Sequence, residues 1–237
     1  MLDNKSYYDE FARGYELRRH HGYHLLVDEL EAGLVTRHAA GAAVLEVGCG
    51  TGLILERVAK VARAATGVDL SPGMLAKARE RGLEVREADA TALPFADGTF
   101  DVTYSFKVLS HVPDLGRALS EMARVTRPGG RVFIELYNRR SLRYLIRRLR
   151  GGLPIADGIV DNQVFVRFYS LAELQALLPA PLVVERLHGI RVFTTWPGLL
   201  SLPLLGQGLA WAERRATSSW LGRFGGFLVL DCHKLGA

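Results

Sequence analysis

VLEVGCGTG, running from Val44 to Gly52, joins a short apolar run to three closely spaced glycines. The segment Ala43 to Val47 is too short for a helix and reads as a strand buried on both faces. Glycines at 48, 50 and 52 let the chain turn tightly and let its backbone approach a ligand with no Cβ in the way. A dinucleotide fingerprint would need its third glycine at position 53, where this chain has Leu53, and Glu46 inside the strand is out of place beside a pyrophosphate. The spacing therefore argues against a nicotinamide dinucleotide.

Outward from this turn, strand and helix signals alternate. Leu53 to Val61 reads as a helix, Ala64 to Leu70 as a second strand, and Ser71-Pro72 as the N-cap and first position of the next helix. Leu83 to Ala88 and Phe100 to Phe106 read as strands, Asp114 to Thr126 as a helix, and Arg131 to Tyr137 as a fifth strand after the Pro128-Gly129-Gly130 turn. Upstream, Tyr7 to Tyr15 and Tyr23 to Val35 carry helical spacing and form an N-terminal cover. After Tyr137 the alternation stops, then resumes at Ser170-Leu171-Ala172-Glu173, a capping box that opens a helix through Leu178. Leu182 to Val192 and Phe227 to His233 are the last strands. Such alternation implies a parallel sheet with right-handed crossovers, helices on both faces, and a ligand held beyond the carboxyl ends of the strands.

Two carboxylates belong to that edge. Asp69 ends the second strand beside the glycine turn, where it can accept from both hydroxyls of a ribose. Asp89 follows the third strand and can accept from an exocyclic adenine amine, while Ala90 leaves room for the ring. Each residue alone reads equally as a cap of the following turn or helix. Their order along the chain selects adenosine without phosphates.

With these residues in place the sequence resembles the class I S-adenosylmethionine-dependent methyltransferases, in particular the small-molecule branch that includes quinone-biosynthesis enzymes. Four blocks match in order: VLEVGCGTG, GVDLSPGML, ADATALPFADGTFDVTYS and RVTRPGGRVFIE, which together run from Val44 to Glu135. The resemblance implies a doubly wound, Rossmann-like α/β fold with a seven-stranded, mostly parallel sheet and a last antiparallel strand. It implies one methyltransferase domain over 1–237, with a helical cover at 1–40, a cofactor-binding core at 41–137, substrate-covering insertions at 138–224 and the last strand at 225–237. By the same resemblance, the Gly48 and Gly50 backbone lies against the methionyl part of S-adenosylmethionine, Cys49 of the same turn counts among the cofactor-binding residues as packing and not as a nucleophile, and Asp69 holds the ribose. Leu70 and Met74 flank the adenine, and Asp89 and Ala90 complete its site. Phe106 faces the amino-acid end, Tyr15 closes over it with Tyr7 or Tyr8 as alternatives, and Glu46 orients the loop. The product is S-adenosylhomocysteine.

A sulfonium is already a strong electrophile, so the chain's tasks are to align a nucleophile and exclude water. A hydroxyl or acidic carbon would gain from a base, and His111, in SFKVLSHVPD after the fourth strand, is the best placed. The competing reading of His111 is a loop hydrogen bond ahead of the Asp114 helix. His20, His21 and His24 are weaker candidates. Two function classes fit: methylation of a small hydrophobic metabolite on oxygen, carbon or nitrogen, or a catalytically silent S-adenosylmethionine-binding regulatory module.

The 237 residues are 49% hydrophobic and 23% charged, an ordinary globular balance with a net charge of +5. Much of the excess sits between Arg139 and Arg150, where Leu142, Leu145, Ile146 and Leu149 share one helical face among arginines. This is either a surface helix over the core or a contact for an anionic membrane or an acidic substrate. Phe165, Phe168, Tyr169, Phe193, Trp196 and Trp211 supply apolar area for covering a lipophilic acceptor, or for the core. No base-stacking platform accompanies the arginines, which disfavours nucleic acid. Cys49 and Cys232 lack disulfide or metal-ligand spacing, and the polar N-terminus lacks a signal peptide's pattern, so no metal and a cytoplasmic location are expected.

Overall fold

The computed structural model describes residues 22–150, 154–156, 159–160, 165–194, 197–202 and 204–236. Helix α1 (Gly22–Ala39) precedes β1 (Ala43–Val47), α2 (Leu55–Ala59), β2 (Ala64–Asp69), α3 (Pro72–Glu80), β3 (Glu84–Glu87) and β4 (Phe100–Ser105). A 3-10 turn (Leu109–His111), α4 (Leu115–Val125) and β5 (Thr126–Asn138) follow. The later part of the chain holds α5 (Leu142–Arg150), the short strands β6 (Pro154–Ala156), β7 (Ile159–Val160) and β8 (Phe168–Tyr169), then α6 (Leu171–Leu177) and β9 (Leu182–Ile190). Helix α7 (Leu205–Ala216), a 3-10 turn (Trp220–Phe224) and β10 (Phe227–Lys234) complete it. The helix expected over Tyr7 to Tyr15 lies outside the described residues.

The main sheet runs β3-β2-β1-β4-β5-β10-β9, with β8 added against β5. Strands β1 to β5 pair in parallel, and β10 is antiparallel to both β5 and β9. This is the expected doubly wound sheet with its last strand reversed. The chain lays strands outward from β1 in one direction, through β2 and β3, then returns to place β4 on the other side. That reversal opens a crevice at the carboxyl ends of β1 and β4.

Both faces of the sheet are covered, which is why its strands are apolar without strict alternation. Leu45, Val47, Val68, Ile134, Leu228 and Leu230 pack on one face with Leu115, Ala118, Leu119 and Met122 of α4. Those four positions follow the i, i+3, i+4, i+7 spacing of one helical stripe. Val44, Val102, Tyr104, Phe133 and Val229 point to the other face, against Val27, Leu34 and Val35 of α1.

Local sequence sets the helix starts. Ser71 Oγ accepts the Met74 N–H at 3.2 Å with Pro72 at the first position, and Asp114 Oδ1 accepts the Arg117 N–H at 3.0 Å. Ser170 and Glu173 form the reciprocal capping box that the sequence announces. The fifth strand differs from expectation in beginning at Thr126. It passes through Pro128-Gly129-Gly130, and its register against β4 shifts between Phe100 and Val102.

Candidate functional site

A cavity of about 380 Å³ lies beyond the carboxyl ends of β1 to β4, in the crevice where the strand order reverses. Its wall is built from the segments that follow those strands, with Asp28 of α1 at one side. Glu46, Gly48, Cys49 and Gly50 enter from β1, and Asp69, Leu70 and Met74 from β2 and α3. Asp89 and Ala90 follow β3, and Phe106 and His111 follow β4. The structure thus brings together every sequence-predicted site residue except Tyr15, which lies outside the described residues, as do Tyr7, Tyr8, His20, His21 and Trp196. His24 is described but does not line the cavity.

The glycine turn folds back on the neighbouring strand, with the Gly48 and Cys49 N–H groups both donating to the Val68 carbonyl at 2.7 and 2.9 Å. Gly48 has φ +76°, and a Cβ there would come within 2.3 Å of Val108 Cγ2. At Gly50, φ is +54° and a Cβ would meet nothing within 4 Å, so at this position the space belongs to the cavity. The next residue, Thr51, also lines the cavity, and its buried hydroxyl has no hydrogen-bond partner among the described residues. Sequence reasoning passed over it although it stands inside the motif.

Asp69 braces this turn. Its Oδ2 accepts the Gly50 N–H at 2.8 Å and its Oδ1 accepts the Ser71 N–H at 2.9 Å. Asp89 Oδ1 accepts both the N–H and the hydroxyl of Thr91 at 2.8 Å, an Asx turn that fixes the loop after β3. Cys49 is packed beside Leu55 under the turn, and burial pushes its thiol well up, which leaves no thiolate to act as a nucleophile. Among the described residues no group of three or more His, Cys, Asp or Glu could hold a metal ion.

A second polar group, missed by the sequence reading, stands at the Phe106 end. Lys107 has φ +62°, and its Nζ lies 2.7 Å from both Asp28 Oδ1 and Glu31 Oε2, while its N–H donates to Glu135 Oε1 at 2.9 Å. Burial raises the Glu135 carboxyl well above the usual range, and the neighbouring Glu31 charge adds to the effect. Glu46 is raised mainly by burial, against the Lys107 charge and a Tyr104 hydroxyl that donates to it at 3.3 Å. The position of Lys107 beside Phe106 was the available signal. Nothing local marked Asp28.

His111 is buried and held at both nitrogens: Nδ1 lies 3.0 Å from the Phe165 carbonyl and Nε2 3.2 Å from the Tyr137 hydroxyl. A carbonyl only accepts, so Nδ1 carries the proton and Nε2 accepts from Tyr137. Burial holds the imidazole below its ordinary 6.5, with the Phe165 bond opposing, and pushes the Tyr137 hydroxyl up to about 12. At neutral pH both are uncharged. The loop hydrogen bond expected as one reading of His111 is therefore present, and the ring also faces the cavity.

Of the aromatic residues read as a possible cover, Phe165, Phe168, Tyr169, Phe193 and Trp211 do not line the cavity. Phe168 and Tyr169 are core, because β8 pairs with β5 and Phe168 packs on Tyr137. Phe193 and Trp211 are exposed. The leucine stripe of α5 likewise faces solvent and not the core.

Residues 45–134 match the family described as Methyltransferase domain. The chain is 48% identical over 105 residues to a phosphatidylethanolamine N-methyltransferase of Cereibacter sphaeroides, covering 41% of this chain and 51% of that one. It is 37% identical over 157 residues to a ubiquinone biosynthesis O-methyltransferase of Aromatoleum aromaticum, covering 62% and 67%. The chain thus spans about half the length of the first relative and two thirds of the second. In fold it is similar to a Thermotoga maritima S-adenosylmethionine-dependent methyltransferase described as a possible histamine N-methyltransferase, with a TM-score of 0.70, 24% identity and 97% of each chain covered.

Proposed function

Because this chain belongs to the S-adenosylmethionine-dependent methyltransferases, we propose that its cavity holds S-adenosylmethionine and that it methylates a small, hydrophobic acceptor, leaving S-adenosylhomocysteine. The observation that carries this reading is the convergence of the glycine turn, Asp69 and the Asp89–Ala90 loop on one cavity at the switch point of the sheet. The wall suits a nucleoside ligand: Gly50 leaves space where any other residue would place a Cβ, and Asp69 and Asp89 supply carboxylates at the lining.

A carboxylate has about four acceptor positions, so Asp69 can brace Gly50 and Ser71 and still take a ribose hydroxyl. Leu70, Met74 and Ala90 form the apolar slot for the adenine, with Asp89 at its edge. Gly48, Cys49, Gly50 and Phe106 border the amino-acid end, with Glu46 behind the turn; Tyr15, outside the described residues, is proposed as its cover. The bound donor supplies a methyl group on a sulfonium, and transfer forms one bond from the acceptor to that carbon while the methyl–sulfur electron pair goes to sulfur. The acceptor's proton passes to His111 Nε2, which exchanges the Tyr137 hydrogen bond for that of the acceptor. An uncharged imidazole is the competent form for this task.

The chain works as a single domain, and two buried free cysteines suit a cytoplasmic location. No helix among the described residues is long and apolar enough to cross a membrane. The arginine-rich α5, at the same edge of the sheet, supports contact with an anionic partner, either a membrane surface or an acidic acceptor. A screen of phenols, quinols, amines and carboxylic acids, followed by S-adenosylhomocysteine release, tests the enzyme reading. Donor binding with no release on any acceptor would return the silent module in its place.

A further inference from the structure

Between Glu135 and Asp157 the chain has no acidic residue, and six arginines fall within positions 139–150. Helix α5 carries most of them, and its orientation is fixed by what its inner side touches. The Tyr144 ring packs on Phe168 at 5.0 Å between centroids, and the Arg147 guanidinium sits 5.1 Å over the same ring. Ser141 caps the helix by accepting the Tyr144 N–H at 3.1 Å. At 100° per residue, Leu142, Leu145 and Leu149 lie on the opposite side from Tyr144 and Arg147. They are 48, 53 and 77% exposed, and Arg140 and Arg148 beside them are exposed too.

The segment leading into α5 has a neighbour of the same character. The Asn138 side chain donates to the carbonyls of Arg223 and Gly225 at 2.9 and 2.8 Å, which sets the 3-10 turn Trp220–Phe224 against the start of α5. Trp220 and Phe224 are 65 and 43% exposed, in edge contact with each other, and Arg223 lies 5.8 Å over the Trp220 ring. Exposed leucines, a half-exposed indole and flanking arginines are the chemistry of an interfacial membrane helix, in which apolar side chains enter the acyl boundary and cations meet lipid phosphates.

We propose that α5 and the Trp220–Phe224 turn dock on an anionic lipid bilayer; that docking serves to collect an acceptor rests on the methyl-transfer reading. The other occupants fit less well. An acidic soluble acceptor would need arginines in the cavity wall, and no α5 arginine is there. A nucleic acid would engage the arginines and leave the leucines in water. A second copy of the chain meeting its twin through α5 would set arginine against arginine. The bilayer uses both kinds of side chain. Helix α5 also follows directly on the end of β5, the strand whose Tyr137 touches His111 of the cavity wall, so a lipophilic acceptor leaving the membrane has a short path to the site.

The test is co-sedimentation of the full chain with vesicles of phosphatidylcholine alone and of phosphatidylcholine mixed with phosphatidylglycerol. Binding about tenfold or more stronger to the anionic vesicles is expected, falling as salt rises. Leu145→Glu with Leu149→Glu, and separately Arg140→Glu with Arg148→Glu, should each abolish it. Calorimetric affinity for S-adenosylmethionine should stay unchanged in both variants, because their side chains lie on the surface away from the cavity. No binding to either vesicle, equal binding to both, or variants that sediment like the parent would overturn the proposal. So would a light-scattering shift from dimer to monomer in the leucine variant, which would assign the face to a second copy. Loss of donor binding in the unmodified chain would instead count against the methyl-transfer reading, and is read separately.

Discussion

The Asp69 carboxylate accepts the Gly50 N–H at 2.8 Å, tying the end of β2 to the glycine turn after β1 across nineteen residues of chain. Its other oxygen takes the Ser71 N–H at 2.9 Å, so one side chain positions both the turn and the start of α3. The residue is at once a structural brace and the proposed ribose ligand. A hydrogen bond to a charged group contributes about 1.5–3 kcal/mol. Asp69→Ala should therefore lower both the melting temperature and donor affinity. Asp69→Asn keeps only one of the two acceptor oxygens and sets an amide NH2 against the other N–H, so it should recover only part of the stability and of the affinity.

The two glycines of the turn should separate folding from binding. Gly48→Ala meets Val108 at 2.3 Å with φ +76°, so strain and overpacking should cost about 1–3 kcal/mol in denaturant unfolding. Gly50→Ala has the same backbone penalty but no steric partner. Its melting temperature should fall less, while its donor affinity falls more because the new Cβ enters the cavity.

One ammonium, that of Lys107, pairs with both Asp28 and Glu31, whose carboxylates are buried. Lys107→Met removes the cation that both buried carboxylates contact and should destabilise by about 3–5 kcal/mol. Adding Asp28→Asn and Glu31→Gln to the same chain should restore most of that loss. A triple variant as unstable as the single one would show that the ion pairs are not the cause.

Burial lowers the His111 pKa from 6.5, so the unfolded chain takes up a proton there before the folded chain does. Its contribution to stability is then present above pH 6.5 and is lost as pH falls through 6.5 toward the folded value. If Nε2 is the base, the acidic limb of kcat/KM against pH also lies below 6.5, and His111→Ala lowers turnover while donor affinity persists. Tyr137→Phe should leave the base in place and shift that limb. Turnover in His111→Ala equal to the parent would leave the ring as a loop anchor only.

Glu46 is shifted the other way. Burial raises the folded Glu46 carboxyl above its ordinary 4.5, so its contribution to stability is fully present below pH 4.5 and is lost as pH rises toward the folded value. Glu46→Gln should therefore raise the melting temperature at neutral pH, and should weaken binding of a cationic donor. A variant less stable than the parent at pH 7 would contradict the burial argument.

Features that depend on neighbouring residues were legible in the sequence. The turn at Val44–Gly52, the caps at Ser71, Asp114 and Ser170, and the alternation that implies the sheet all rest on local spacing. Because strand order fixes which loops meet, Asp69, Asp89 and His111 could also be placed at one edge without coordinates. The Lys107–Asp28 pair could not, since 79 residues separate its members and neither belongs to a motif. Tyr137 was read only as the end of a strand, and its contact with His111 appears once β5 lies beside the 3-10 turn. Periodicity showed that α5 has an apolar stripe, but which way the stripe faces depends on Tyr144 and Arg147 resting on Phe168.

Calorimetric titration of S-adenosylmethionine into the full chain, beside Asp69→Ala, tests the central claim most directly. Saturable binding at one site per chain is predicted for the parent, weakened about tenfold or more in the variant. No binding by the folded parent, or equal affinity in the two proteins, would contradict it.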